Sequence, residues 1–434
     1  MTKQQSNASL RIITIIAMMF LYAMISFVTN LAAPVGKIWG EWFPEAQEET
    51  MGMLGNMANF LAYLFMGIPA GNILAKYGYK KTAMAAVLFG LVGVFVQFLS
   101  GVGEASIAMF WVYILGAFIS GICVCMLNTV VNPMLNLLGG GGNKGNQLNL
   151  TGGTINSLSG TLTPMLVGSI LGAGVDLEQA AISDVNVLLF MAMAVFALIF
   201  IILWLTPIAE PGRTNDNTVY ERSPWAFRHL TLGVIAIFVY VGVEVGVPAT
   251  LISYLKVTGE TGTFAGLDFS AASFIAGFYW LLMLVGRTIG SLVGGKVSSK
   301  TMVSFVSMLA IVLMVLAMCL GSSVKVMLPS DWAFHMVEMP IATIFIVLVG
   351  LCTSVMWGSI FNMATEGLGK YTAKASGIFM MLVVGGGVMP YIQNFIAQKA
   401  GYMPSYWLVA AMLCYLLYYA VIGSKNVNKD IPVD

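Results

Sequence analysis

The chain has 434 residues, of which 59% are hydrophobic and only 9% are charged, and its mean hydropathy is +0.88. A soluble protein carries roughly 25% charged residues, so this composition excludes a water-soluble globular protein. The formal net charge of +1 also argues against a nucleic-acid partner, which would require a basic surface.

Long apolar runs follow one another along the chain. Lipid cannot satisfy the polar groups of the backbone, so only helices and closed barrels cross a membrane. The runs are about twenty residues long without the alternation of barrel strands, which is the length a spanning helix needs. We therefore predict an all-α integral membrane protein, embedded in the lipid bilayer, with twelve transmembrane helices. Their predicted limits are 12–36, 52–75, 82–101, 107–136, 147–172, 186–206, 230–255, 269–294, 301–321, 339–364, 374–397 and 404–423.

The basic residues predict the orientation of these spans. Most of the 20 Lys and Arg residues fall in segments on the same side as the N-terminus, including Lys76, Lys80 and Lys81. Cytoplasmic loops are enriched in Lys and Arg. We therefore expect both termini in the cytoplasm. We also expect the protein to be a monomer in the inner membrane of a bacterium.

The longest connection on this side, residues 207–229, is rich in polar and turn-forming residues. We predict that it joins two pseudo-symmetric six-helix halves, residues 1–206 and 230–434. The halves repeat weakly, since GNILAKYGYKKT (71–82) follows span two and GSLVGGKVSSKT (290–301) follows span eight. Two such repeats are typical of the major facilitator architecture.

Several spans carry amide and aromatic residues that suit a cavity for a neutral polar solute. An amide both donates and accepts hydrogen bonds, as a sugar hydroxyl does, and aromatic rings can stack on a pyranose. The alternative is that the amides only join helices. For Asn132, which precedes Pro133, a role in bending the helix is favoured. The other predicted cavity residues are Asn30, Asn128, Asn156, Tyr240, Trp357, Gln393 and Asn394.

Glu244 interrupts the apolar run YVGVEVGVPAT (240–250). It lies about 20 Å from the predicted start of span seven, close to the midplane. An acid there costs roughly 2.5–3.5 kcal/mol unless it is protonated, binds a cation or pairs with a base. We favour contact with the substrate or with a coupling cation. Tyr240 and Pro248 lie one turn away on the same face, and Pro248 can bend the helix.

Arg287 is the other charge deep within a span. It lies about 12 Å from the predicted basic end of its helix, so the two charges differ in depth by roughly 8 Å. A direct pair with Glu244 is therefore disfavoured. A structural role for Arg287, bonded to backbone carbonyls or to a partner in the same half, is the favoured interpretation.

Several segments resemble one family. These are LNTVVNPMLNLLG (127–139), QLNLTGGTINSLSG (147–160), YVGVEVGVPATLISYL (240–255), GRTIGSLVGGKV (286–297) and GLGKYTAKASGIFMMLVVGGGVMP (367–390). They are similar to segments of the fucose–galactose–glucose permeases of the major facilitator superfamily, and the resemblance covers nearly the whole chain. It implies sugar transport by alternating access. It also implies that Asn30 and Asn156 line the sugar cavity, because both match asparagines that do so in the family.

The sequence departs from this family at its acids. Proton-coupled members carry an aspartate in span one and a glutamate in span four, where this chain has Ala33 and Asn128. The position of Glu244 aligns with a glutamine in the fucose permease of this family and with a glutamate in some other relatives, so the acid has in effect moved from the N-terminal half to the C-terminal half. The basic turn 76–81 lies where the superfamily has a gating loop, but it lacks the usual acid. The preference of basic residues for the cytoplasmic side accounts for the lysines of this turn. A role of the turn in gating is the alternative.

Together these features predict a secondary transporter, and not an enzyme, that moves a monosaccharide or similar neutral solute. We expect symport of H⁺ or Na⁺ through Glu244, with no cofactor and no bound metal, because the five cysteines and two histidines lack metal-ligand spacing. An uncoupled facilitator is the alternative, since both family acids are absent. A solute sensor that transports nothing is less favoured, because the chain shows no soluble signalling domain.

Overall fold

The structure is a computed structural model that describes residues 3–43, 45–102, 104, 106–171, 186–208, 210, 220–256, 266–267, 269–321, 324–428 and 430–433. The predicted cavity residue Asn30 lies in the first helix, but its side chain is outside the described part of the chain. Residues 209 and 211–219 of the predicted linker 207–229 are also outside it.

The described residues form thirteen α-helices and one β-hairpin. The first five helices are α1 (Lys3–Glu41), α2 (Glu45–Ser100), α3 (Ile107–Leu138), α4 (Gly142–Leu171) and α5 (Asn186–Leu205). The next three are α6 (Arg228–Lys256), α7 (Phe269–Val293) and α8 (Ser299–Leu320). The hairpin strands β1 (Lys325–Pro329) and β2 (Met336–Pro340) follow. The last five helices are α9 (Ala342–Thr353), α10 (Met356–Thr365), α11 (Thr372–Met381), α12 (Gly385–Ala400) and α13 (Tyr402–Tyr418).

These helices account for the twelve predicted spans. Ten stretches of the described chain are long and apolar enough to cross a membrane. One of them, Leu54–Ser100, has 47 residues, about 70 Å of helix, and therefore contains spans two and three. Gly78 breaks this helix with a φ of 81°. The 30-residue helix α4 supplies span five, α9 with α10 forms span ten, and α11 with α12 forms span eleven. The prediction of twelve helices is confirmed.

The hairpin is the element that the sequence did not predict. Its antiparallel strands pair Lys325 with Pro340 and Pro329 with Met336. Each strand has only five residues, and exposed and half-buried positions alternate over the first three of them. Such short segments are difficult to recognise beside apolar helices of twenty residues or more.

The two most extensive helix contacts between the N-terminal half (α1–α5) and the C-terminal half (α6–α13) are those of α2 with α11 and of α4 with α7. The α2–α11 contact depends on glycine. A Cβ built on Gly71 would lie 2.9 Å from the Cα of Gly377, which is too close for any side chain. Small residues thus let the backbones of the two halves touch, as is common between membrane helices.

The end of the bundle that carries Lys76, Lys80 and Lys81 is called the basic end below. Here the carboxylate of Glu210 accepts hydrogen bonds from the backbone N–H groups of Tyr79 at 2.7 Å and Lys80 at 2.9 Å. Lys80 Nζ donates to the carbonyl oxygens of Trp204 and Thr206, both at 2.9 Å. A cation is favourable at this carboxyl end of α5, so Lys80 joins the turn after span two to the end of span six.

The other end of the described linker packs on the C-terminal half. Glu221 accepts hydrogen bonds from Lys370 Nζ and the Tyr371 hydroxyl, each at 3.2 Å, and Lys374 Nζ lies 3.5 Å from the centre of the Tyr220 ring. Hydrogen bonds from its own backbone N–H and from Lys370 hold the pKa of Glu221 below its ordinary value. The linker therefore contacts both halves at the basic end.

We expect Glu210→Ala to destabilise the folded protein by about 1–2 kcal/mol, because hydrogen bonds to a charged group are worth more than neutral ones. The measurement is thermal unfolding in detergent. Glu338→Ala is the matched control, since its ion pair with Lys325 has side chains 55% and 43% exposed and such pairs contribute about 0–1 kcal/mol. Equal losses in the two variants would contradict the role of Glu210.

Candidate functional site

Two charged side chains meet in the middle of the bundle. Arg287 Nη2, on α7, donates to Glu244 Oε1, on α6, at 3.0 Å. The side chains are 11% and 13% exposed, respectively, so water screens the pair only weakly. The carboxylate that interrupts span seven is thus paired with a base in this structure.

This pair corrects the expectation that a difference in depth keeps the two residues apart. That expectation measured each residue from the end of its own helix. Glu244 lies about 24 Å from the start of α6 and Arg287 about 9 Å from the end of α7, so the two helix ends are not level. The axial offset and the long arginine side chain bring the charges together.

Arg287 also binds the opposite half through its second terminal nitrogen. Nη1 donates to Ser157 Oγ at 2.7 Å, to the Gly153 carbonyl at 3.3 Å and to Asn156 Oδ1 at 3.4 Å, all on α4. A planar guanidinium can hold several acceptors at once, which a single ammonium cannot do as well. Arg287 therefore connects Glu244 in the C-terminal half to α4 in the N-terminal half.

A chain of hydrogen bonds extends from this cluster through the amides. Asn156 Nδ2 donates to the Tyr22 carbonyl at 2.9 Å, and the Tyr22 hydroxyl donates to Asn132 Oδ1 at 2.5 Å. Trp357 Nε1, on α10, donates to the same oxygen at 3.1 Å. Asn132 therefore joins α1, α3 and α10, and its bond to Trp357 crosses between the halves.

The chain ends at Asn128, which lies one turn before Asn132 on α3. Asn128 Nδ2 donates to the Tyr63 hydroxyl at 2.9 Å, and Asn132 Nδ2 donates to the Asn128 carbonyl at 2.8 Å. Helix α3 is continuous through Pro133. The structure thus shows hydrogen bonding by Asn132, where a role in helix bending was the favoured expectation.

Tyr240 and Pro248 lie on α6 on either side of Glu244. The Tyr240 hydroxyl donates to the Thr353 carbonyl at 3.2 Å, and its ring centre lies 6.3 Å from that of Trp357. Pro248 lies within α6, which continues to Lys256. Because proline has no N–H, the carbonyl of Glu244, four residues earlier, receives no helix bond from it.

Two predicted cavity residues lie apart from this network. Gln393 is fully buried, and a Cβ on Gly246 would lie 2.7 Å from its Oε1, so it packs between α12 and α6. Neither amide atom of Gln393 has a hydrogen-bond partner among the described groups. Asn394 is exposed. Among the basic residues, Lys76 lies over the Tyr77 ring at 5.3 Å and Lys81 is exposed.

Sequence reasoning missed several residues that take part in this network through their hydroxyl groups. Tyr22, Tyr63 and Ser157 bond to the amides and the guanidinium described above, and the Tyr279 hydroxyl bonds Thr353 Oγ1 at 3.0 Å. Tyrosine and serine are frequent in apolar runs, so no pattern in the sequence singles them out. Among the described residues, no group of three His, Cys, Asp or Glu side chains is placed to hold a metal ion.

Replacing Asn132 tests how much this network stabilises the protein. We expect Asn132→Leu to leave the buried Tyr22 hydroxyl without an acceptor, at about 1–3 kcal/mol, and to remove the acceptor of the half-buried Trp357 as well. Thr129→Val is the control, because Thr129 Oγ1 donates to the Cys125 carbonyl within its own helix. Thermal unfolding should separate the two variants clearly, and similar midpoints would contradict the role of Asn132.

The halves are joined at the basic end as well as in the middle. Asn146 Nδ2 donates to Ser359 Oγ at 3.2 Å, and Gln147 Nε2 donates to the Ser291 carbonyl at 2.9 Å. Ser376 Oγ donates to the Thr129 carbonyl at 3.2 Å. These bonds form a seam between the halves that runs from the basic end to Arg287.

The protein has twelve spans in two halves, which are joined along a seam between the basic end and a central polar site. This arrangement defines a multi-pass membrane transporter. The model of the Major Facilitator Superfamily matches residues 12–391, and the chain belongs to that superfamily.

Relatives named as sugar transporters confirm the narrower resemblance to the fucose–galactose–glucose permeases. A glucose/galactose transporter of Brucella abortus biovar 1 (strain 9-941) is 27% identical over 432 residues, which cover 98% of this chain and 97% of the relative. The L-fucose-proton symporter of Escherichia coli (strain K12) is 22% identical over 397 residues, which cover 83% of this chain and 82% of the relative.

Solved structures share the fold. A crystal structure of the E. coli fucose:proton symporter has a TM-score of 0.76 at 18% identity and covers 95% of this chain and 100% of that one. A crystal structure of the fucose transporter in the outward conformation has a TM-score of 0.75 at 17% identity, with coverage of 94% and 99%. At these identities the likeness concerns the fold alone.

Proposed function

We propose that this protein moves a monosaccharide, or a similar neutral polyol, across a bacterial inner membrane by alternating access, with symport of H⁺. The observation that carries the proposal is the position of Arg287. It bonds Glu244 in one half and three acceptors on α4 in the other half. A change in the charge of Glu244 therefore acts on Arg287, the residue whose other hydrogen bonds join the two halves.

The substrate class is supported by the site and by the relatives. Asn128, Asn132 and Asn156 offer amide donors and acceptors that match sugar hydroxyls, and Trp357 is half-buried beside them. Relatives are named for glucose, galactose and L-fucose. The predicted contributions of Asn30 and Tyr240 to sugar binding, together with those of Gln393 and Asn394, remain part of the proposal.

Protonation of Glu244 would change the balance between two conformations. It neutralises the carboxylate and leaves the Arg287 guanidinium buried with neutral acceptors only. An uncompensated buried charge costs about 3–5 kcal/mol. A proton would therefore destabilise the seam in this state and favour the alternative state, which is a coupling free energy between ion and conformation.

We propose H⁺ rather than Na⁺ as the coupling ion. The guanidinium lies 3.0 Å from the carboxylate and would repel a sodium ion at the same oxygens, whereas a proton binds to the carboxylate itself. A proton symporter among the relatives supports this choice. We further propose that the basic end faces the cytoplasm, that residues 1–206 and 230–434 move as the two halves of a monomer, and that the linker lies between them.

An uncoupled facilitator is the second candidate. The resemblance described above implies that Ala33 and Asn128 stand where the proton-coupled fucose permease has acids, and Asn128 bonds neutral groups, Tyr63 and a helix carbonyl. If the Glu244–Arg287 pair never separates, the protein equilibrates its solute without accumulating it.

One experiment tests both candidates. Proteoliposomes are loaded with glucose, galactose or L-fucose at equal concentration on both sides, and a pH gradient or a sodium gradient is imposed. We expect the pH gradient to drive accumulation of at least one sugar. Exchange without accumulation in either gradient would favour the facilitator, accumulation driven only by sodium would contradict H⁺ coupling, and no movement of any monosaccharide would contradict the proposed substrate class.

A further inference from the structure

One residue of the seam has no polar partner. Asn149, on α4, is 2% exposed, and neither its Nδ2 nor its Oδ1 bonds another described group. Asn146 Oδ1 is unpartnered as well. Both face Gly358 of α10, because a Cβ there would lie 3.4 Å from Asn149 Cβ and 3.5 Å from Asn146 Oδ1. A buried polar group without a partner is destabilising, so this amide destabilises the closed seam.

Asn149 shares a face of α4 with the central site. Residues 149, 153 and 156 are spaced by four and three positions and therefore lie on one side of the helix. Gly153 and Asn156 accept hydrogen bonds from Arg287. Asn149 lies about 10 Å closer to the basic end than Asn156. When the seam opens, a solute that leaves the central site in this direction passes along this face.

We propose that Asn149 and Asn146 form a second binding site for the solute, on the release route between the central site and the basic end. The class of ligand rests on the proposed function: a neutral, polyhydroxylated solute such as a monosaccharide. Each amide offers two donors and an acceptor to hydroxyl groups. In the closed seam a single methyl group on Gly358 would already be in van der Waals contact with Asn149, so the gap is too small for a sugar and the site binds solute only after the halves separate at the basic end.

The test compares two substitutions of a buried asparagine by leucine, which has nearly the same shape. Asn149→Leu removes the proposed site. Asn59→Leu is the control, because Asn59 is 3% exposed and its Nδ2 is also unpartnered. Asn59 packs on Gly121 of α3, where a Cβ would lie 2.8 Å from Asn59 Cα, and both residues belong to the N-terminal half. The sugar that the wild type transports is presented to oriented proteoliposomes from each side in turn.

We expect Asn149→Leu to raise the KM measured from the basic end by about tenfold, the equivalent of one or two lost hydrogen bonds. The KM from the opposite side should stay within about twofold, a difference of only about 0.4 kcal/mol. Asn59→Leu should leave the ratio of the two KM values unchanged. Equal changes from both sides in Asn149→Leu, or no change from either, would overturn the second site.

A substitution that only stabilises the seam could also raise the KM from the basic end, by reducing the fraction of open molecules. Distances between spin labels at Lys144 and Lys300, both exposed at the basic end, report that fraction. If the change in the open fraction accounts for the whole change in KM, the second site is wrong. A wild type that transports no sugar overturns the proposed function as well, whereas a failure confined to Asn149→Leu leaves that function intact.

Discussion

Glu244→Gln is expected to abolish accumulation of sugar while exchange continues. Glutamine keeps the size and the hydrogen-bonding oxygen of the side chain but cannot gain or lose a proton. In the wild type, a gradient of one pH unit supplies about 1.4 kcal/mol and supports up to about tenfold accumulation for one proton per sugar. In Glu244→Gln the ratio of internal to external sugar should stay near one. Uptake of labelled sugar with and without the gradient gives this ratio, and counterflow gives the exchange rate.

Two outcomes would contradict the role of Glu244. Normal accumulation in Glu244→Gln would show that another group carries the proton. If Glu244→Gln loses both exchange and accumulation, the carboxylate is needed for transport itself. Its role would then not be limited to coupling transport to protons. Glu338→Gln, on the exposed hairpin, is the control and should behave as the wild type.

Arg287→Met is expected to reduce both stability and transport strongly. The substitution leaves the Glu244 carboxylate buried without its base, at about 3–5 kcal/mol, and removes the bonds to Gly153, Asn156 and Ser157 that join the halves. Exchange should fall by about 100-fold or more, since 1.4 kcal/mol corresponds to a factor of ten. Lys325→Met removes a cation from an exposed pair and should cost no more than about 1 kcal/mol.

The double variant Glu244→Gln, Arg287→Met separates the two effects of Arg287. Replacement of a buried ion pair by neutral groups of similar size is often harmless to stability. The double variant should therefore unfold at a higher temperature than Arg287→Met alone, and the difference in a double-mutant cycle measures the coupling between the two residues. Its transport should stay low, because no charge remains to connect the halves. Additive effects on stability would contradict a buried pair.

The twelve spans and the two halves could be predicted from the sequence, because lipid imposes a strong and local constraint. Each span must supply about twenty apolar residues, and each connection must leave the membrane. Glu244 was singled out for the same reason, since a carboxylate near the midplane of a span is costly wherever its neighbours lie. The amides of Asn128 and Asn156 were singled out as cavity residues, and both take part in the hydrogen-bond network next to Arg287, while their contact with a sugar stays a prediction.

The partner of Glu244 could not be predicted in the same way. Arg287 reaches it only because α6 and α7 are offset along their axes, and distances counted along two separate helices do not reveal that offset. The hydroxyl groups of Tyr22, Tyr63 and Ser157 were also missed, because these residue types are unremarkable in an apolar run until a neighbouring helix supplies a partner.

The sequence by itself determined that this chain crosses the membrane twelve times, that it divides into two repeated halves and that one acid lies deep within it, because hydropathy and charge act residue by residue. Only the tertiary structure decided which base meets that acid and how Arg287 joins the halves. It also decided that Asn149 is buried in the seam without a hydrogen-bond partner among the described residues. These features depend on the relative positions of helices that are far apart in sequence, and such positions follow from packing, which no single segment encodes.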